Sequence, residues 1–130
     1  MKTMRMMGLL LVAMVAGAAC ADWTEIEDVE CPPEGTDLTW YNFGQGFFAE
    51  NCNSCHSVNA EDRKGAPRAY IFDTYDQVYL LRDRVFLRSA GDNATMPPGP
   101  DDPDAEARWM LAEWLACGAP QGDFRAEGDP

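Results

Sequence analysis

The sequence predicts a small all-α domain. Three stretches carry apolar residues at helical spacing, two with recognisable cap residues. The segments between them are polar or rich in proline and glycine, and few segments alternate with period two. At 130 residues there is room for one such domain and not for two. No internal repeat is present.

Residues 1–19 stand apart from that domain. Lys2 and Arg5 precede an apolar run from Met6 to Val15, and Gly17-Ala18-Ala19 supplies small residues before Cys20. The run is too short to span a bilayer and has the flanks of a secretory signal peptide. Two cleavage readings stand side by side. Gly17-Ala18-Ala19-Cys20 resembles the lipobox of bacterial lipoproteins, with Gly17 where a larger aliphatic residue is usual; Cys20 would then be lipidated. Ala19-Cys20-Ala21 is instead an A-x-A site that would release a soluble protein. The lipoprotein reading is preferred.

Residues 20–36 are acidic, contain Pro32-Pro33 and show no helical stripe, so they read as a linker. The domain is expected over 37–120. Its first helix is predicted from Leu38 to Asn51, with Trp40, Phe43, Gly44, Phe47 and Phe48 on adjacent faces. Val58 to Arg68 reads as a loop. A middle helix is predicted from Thr74 to Arg88, because Thr74 and Gln77 have capping-box spacing and Val78, Leu81 and Val85 form a stripe. Arg82, Arg84 and Arg88 on that helix read as a solvated face. Ala90 to Pro103 is a loop containing Met96-Pro97-Pro98. The last helix is predicted from Asp104 to Ala116, with Gly118 past its end. Residues 121–130 read as a frayed acidic tail.

The chain has 22 acidic against 10 basic residues, a formal charge of −12. Removing Lys2 and Arg5 with the signal leaves 8 basic against 22 acidic, near −14. This disfavours nucleic acid and anionic membrane surfaces, which both need cationic contacts. It permits steering towards a partner with a basic docking surface.

Five cysteines are present: Cys20, Cys31, Cys52, Cys55 and Cys117. Cys20 belongs to the cleavage site. Cys52 and Cys55 belong to Cys52-Asn53-Ser54-Cys55-His56, which leaves Cys31 and Cys117 as a disulfide pair in an oxidising compartment. C-x-x-C-H is a signature of c-type haem attachment. Two thiols three positions apart can form thioethers with the two vinyl groups of one haem edge, and the following histidine then supplies an axial nitrogen to the iron. Covalent attachment also supplies core that so short a chain lacks. Three other readings are weighed against it. A thioredoxin-like pair wants a βαβ context, which is not visible. An all-cysteine zinc site would need Cys31 and Cys117 as further ligands and suits a reducing compartment. The third is chance occurrence, disfavoured because His56 is the only histidine and sits at the motif.

Beyond the pentapeptide, Gly44 and Phe48 precede Cys52 by eight and four positions. The last helix carries Arg108, Leu111 and Trp114-Leu115, and Gly65-Ala66-Pro67 follows the motif. In these features residues 37–118 resemble the class I c-type cytochromes, of a bacterial lipoprotein type. The resemblance implies a small bundle of about three main helices wrapped around one covalently bound haem. It implies that Gly44 lets the last helix cross closely, that Phe48 packs at the crossing, and that the Pro67 carbonyl accepts a hydrogen bond from His56 Nδ1–H. The chain departs from the family in Ala66, which separates glycine from proline, and in the Cys31–Cys117 pair.

In the chain after the signal only Met96 and Met110 remain as thioethers. Met110 sits between Trp109 and Leu111 on an amphipathic helix, where packing is the expected role. Met96 lies in a stiff proline loop, forty positions after His56, and family members similarly present methionine before proline. His56 and Met96 are therefore the expected axial ligands. With both positions filled, the expected function is monohaem electron transfer between redox partner proteins rather than enzymatic catalysis, by a monomer on the periplasmic side of a membrane. The alternative is a haem protein with an open sixth position that binds or reduces a small ligand.

Overall fold

A computed structural model of the chain describes residues 23–100 and 102–123. The expected signal peptide, the Cys20 lipidation candidate and residues 124–130 of the expected tail lie outside the described residues. Among the described residues the architecture is helical and contains no strand. No described helix is long and apolar enough to cross a membrane.

The first helical segment begins at Thr39. Thr39 Oγ1 accepts from Asn42 N at 3.2 Å, and Asn42 Oδ1 accepts from Thr39 N at 2.7 Å, a reciprocal cap that satisfies two otherwise orphaned donors. Trp40–Gly44 is wound wider than an α-helix, with Gly44 N donating to Thr39 O five residues back. It runs directly into α1 (Gln45–Asn51). The motif turn α2 (Asn53–His56) follows across Cys52. The expected helix over 38–51 is thus present, with its first turn expanded.

The expected middle helix is two helices, α3 (Tyr75–Leu80) and α4 (Arg82–Ser89). Thr74 and Gln77 form the predicted capping box, and Val78 and Val85 are buried as the stripe requires. At Leu81 the backbone leaves the helical region, with φ −109° and ψ 11°, and Leu81 N donates to Val78 O, three residues back. Phe86, outside the predicted stripe, is fully buried.

The last helix, α5 (Ala105–Ala116), is capped by Asp104, whose Oδ1 accepts from Ala107 N at 2.7 Å. Gly118, at φ +84°, ends it in the left-handed conformation that glycine adopts without cost. Leu111, Trp114 and Leu115 are fully buried on this helix. Burying a large apolar side chain contributes about 1.5–3 kcal/mol, so α5 supplies half of the six largest fully buried side chains; Phe48, Phe86 and Val78 complete them. Gly44, the last residue before α1, leaves no room for a side chain: a Cβ there would lie 2.8 Å from Trp40 Cε3 and 3.2 Å from the Trp114 ring of α5. Phe48 packs beside it, with its ring centroid 6.4 Å from that of Trp114.

Residues 23–36, read from the sequence as a linker, are docked on the domain. Ile26–Asp28 form a single 3₁₀ turn, and Ile26 and Val29 pack against the core. Thr24 O accepts from Asn93 Nδ2 at 2.7 Å, and Cys31 is joined to Cys117 with a Cα–Cα distance of 5.0 Å. Two apolar residues, hydrogen bonds at Thr24 and Thr36 and one covalent bond hold the segment, without any helical periodicity to announce it.

Candidate functional site

The Cys52–His56 motif occupies one helical turn. Cys52 O accepts from Cys55 N at 3.1 Å and from His56 N at 2.9 Å, so both thiols and the imidazole leave a single short element. Cys52 caps α1 and opens α2. Burial pushes its thiol up to about 12, with the Arg108 charge pulling the other way. A thiol held protonated is a poor nucleophile and a poor thiolate ligand, unlike the activated cysteine of a redox pair.

His56 is held on two sides. Its ring lies 4.9 Å from the Phe72 ring, and its carbonyl accepts from Phe72 N at 2.8 Å. Nδ1 is 2.9 Å from the Tyr70 carbonyl oxygen. A carbonyl can only accept, so Nδ1 carries the proton, and in the neutral ring the lone pair is on Nε2. The imidazole is thereby set in the tautomer a metal ligand needs.

The acceptor is Tyr70 and not Pro67. The Pro67 carbonyl is engaged elsewhere: it accepts from Tyr70 N at 3.0 Å, closing a turn, and from Arg63 Nη2 at 2.9 Å. The far end of that turn therefore presents its oxygen to His56. Arg63 organises the whole segment. Its guanidinium also donates to Ser57 O at 2.8 Å, to Ala66 O at 3.3 Å and to Tyr70 O at 3.4 Å.

Cys52, Cys55 and His56 line a cavity of about 1000 Å³. Phe48, Tyr70 and Phe72 give it an aromatic side, Val85 and Ser89 of α4 line it as well, and so does the loop from Met96 to Gly99. Met96, the expected second ligand, is brought to the same cavity as His56; Met110 is not among the residues lining it. The Met96 loop is tied down through its backbone. Thr95 N and Met96 N both donate to Arg88 O, at 3.0 and 2.8 Å. Arg108 Nη1 donates to Met96 O at 3.0 Å and to Ser89 O at 2.9 Å. Arg108 is buried, with Asp102 Oδ1 3.6 Å from Nη2. Met96 itself is 40% exposed.

The cysteines do not form a zinc set. Cys31 and Cys117 are bonded to each other, and no group of three or more His, Cys, Asp or Glu is gathered to hold a metal ion among the described residues. Tyr70 and Arg63 escaped the sequence reading, and Arg108 entered it only through the resemblance, without a role at the site. Each acts through a backbone carbonyl, and carbonyl direction leaves no trace in residue type. Arg84 and Arg88, read as a solvated face, also line the cavity. In comparisons with protein-family models, curated proteins and solved structures, none matches this chain.

Proposed function

We propose that the chain is an exported monohaem c-type cytochrome that carries single electrons between redox partner proteins. The observation that carries this reading is the meeting of Cys52, Cys55, His56 and Met96 at one cavity of about 1000 Å³. The donor set fits a covalently held haem. Cys52 and Cys55 would hold it by thioethers, His56 Nε2 would be one axial ligand and Met96 Sδ the other. Haem bound there supplies an iron that gains and loses one electron, and His/Met ligation is one way such iron is set to a high potential. The chain's own residues do the rest. Tyr70 fixes the imidazole tautomer, Phe48, Phe72 and Val85 keep water from that side, and Arg108 and the Arg88 carbonyl hold the Met96 loop.

The Cys31–Cys117 bond supports export, because disulfides persist in oxidising compartments. We place the protein on the periplasmic side, anchored by lipid on Cys20; ordinary cleavage after Ala21 would instead leave it soluble there.

A second reading has one observation in its favour. Met96 is 40% exposed, more open than a ligand sealed in a core, and a haem without it would offer a free position to a small ligand. Optical spectra separate the two. The electron-transfer reading expects a weak far-red methionine–iron band in the oxidised protein, lost in Met96→Leu, and slow or no carbon monoxide binding to the reduced form. Fast carbon monoxide binding by the wild type, with no far-red band, selects the open-site reading.

A further inference from the structure

The cavity edge is cationic in a chain that is otherwise strongly acidic. Arg63, Lys64, Arg84 and Arg88 line it, against Glu50 as the only acidic residue among the described ones. With 22 acidic residues to 10 basic, a carboxylate neighbour is easily come by. Lys64, Arg82 and Arg108 each have one: Asp62 at 2.7 Å, Asp83 at 3.8 Å and Asp102 at 3.6 Å. Arg63, Arg84 and Arg88 have none within 4 Å among the described residues. The Arg63 fork is already filled by four carbonyls. Arg84 makes only a ring contact, its guanidinium carbon 5.8 Å from the Tyr70 centroid, and Arg88 makes one long side-chain bond, 3.5 Å to Thr95 Oγ1. Glu25 shares a smaller cleft with both but forms an ion pair with neither.

Arg84 and Arg88 stand four residues apart on α4, which puts them on one helix face beside Val85 and Ser89 of the same cavity wall. A planar guanidinium with spare donors is suited to a carboxylate, which it can grip with two parallel bonds. Two such groups side by side at the edge of a mainly apolar cavity match a ligand that is apolar in its body and carries two carboxylates on one edge. We propose that Arg84 and Arg88 form a carboxylate-binding pair for the two propionates of the bound haem. This rests on the cytochrome reading above. It reverses the solvated-face reading of these two arginines and leaves it for Arg82 alone, which stacks on Tyr79 at 4.5 Å and donates to the Tyr79 carbonyl.

The test is a spectroelectrochemical titration of purified holoprotein from mildly acidic to mildly alkaline pH. Two changes are expected in the Arg84→Gln/Arg88→Gln double variant. Its midpoint potential at neutral pH falls, because losing positive charge near the iron favours the more positive oxidised form. The pH-dependent step in its potential moves to higher pH, because a carboxylate without its cation ionises later. Arg82→Gln, which removes from the same helix the one charge that Arg84→Gln alone removes, leaves both readouts at wild-type values. The Arg84→Lys/Arg88→Lys variant restores most of the potential. If the double variant yields too little holoprotein, Arg84→Gln alone shows the same changes at smaller size. A potential and pH profile unchanged in Arg84→Gln and in the double variant overturn the pair. So does a saturable shift of the wild-type profile by added citrate, which would assign the arginines to a carboxylate from solution. A wild-type protein that carries no haem overturns the cytochrome reading itself, and is told apart by its lack of any haem spectrum.

Discussion

The Tyr70 carbonyl accepts from His56 Nδ1 at 2.9 Å, fourteen residues along the chain, and Arg63 Nη2 reaches the same oxygen at 3.4 Å. The imidazole therefore depends on a loop that is shaped by one guanidinium. Arg63→Gln removes most of the donors that gather Ser57, Ala66, Pro67 and Tyr70 carbonyls. Hydrogen bonds to charged groups contribute about 1.5–3 kcal/mol each, so a lower urea midpoint is expected. The His56 Nδ1–H proton should also exchange faster with solvent, as seen by nitrogen-edited NMR. Lower stability with unchanged exchange would reduce Arg63 to loop packing.

Two glycines two residues apart make opposite predictions. A Cβ at Gly44 would meet Trp40 at 2.8 Å and Trp114 at 3.2 Å, while one at Gly46 meets nothing within 4 Å. Gly44→Ala should destabilise by about 1–3 kcal/mol, the usual cost of overpacking. Gly46→Ala should be neutral or stabilise by about 0.5–1 kcal/mol through helix propensity. Equal effects of the two in thermal unfolding would remove the Trp40 and Trp114 rings as the reason for Gly44.

The Cys31–Cys117 bond spans 86 positions and clips residues 23–36 to the end of α5. Closing so long a loop restricts the unfolded chain, and losing it costs about 2–5 kcal/mol. Cys31→Ser/Cys117→Ser should unfold at lower urea and expose the docked segment to proteolysis near Glu30. A double variant as stable as wild type would mean that Ile26, Val29 and the Asn93–Thr24 bond hold the segment without the disulfide.

What the sequence made legible was local. The motif, the Thr74 and Asp104 caps and the cysteine pairing follow from short spacings or counting, and the resemblance marked Gly44 and Phe48. The break at Leu81 was not legible, because residues 75–89 contain neither glycine nor proline. The docking of residues 23–36 was hidden because Ile26 and Val29 are isolated among acidic neighbours. The exchange of Pro67 for Tyr70 turned on which carbonyl a turn consumes. The pairing of Arg84 and Arg88 with one cavity depended on the rotation of α4 about its axis, which an arginine-rich stretch does not report.

The central claim is that Cys52 and Cys55 carry haem. A pyridine haemochrome spectrum of the protein, purified from the exported fraction of a host competent to mature c-type cytochromes, tests it directly. The account predicts the α-band position of a haem joined by two thioethers, at one haem per chain, retained after acid–acetone extraction and lost in Cys52→Ala/Cys55→Ala. A protein from the same fraction with no haemochrome, or with haem that acid–acetone removes, would contradict it.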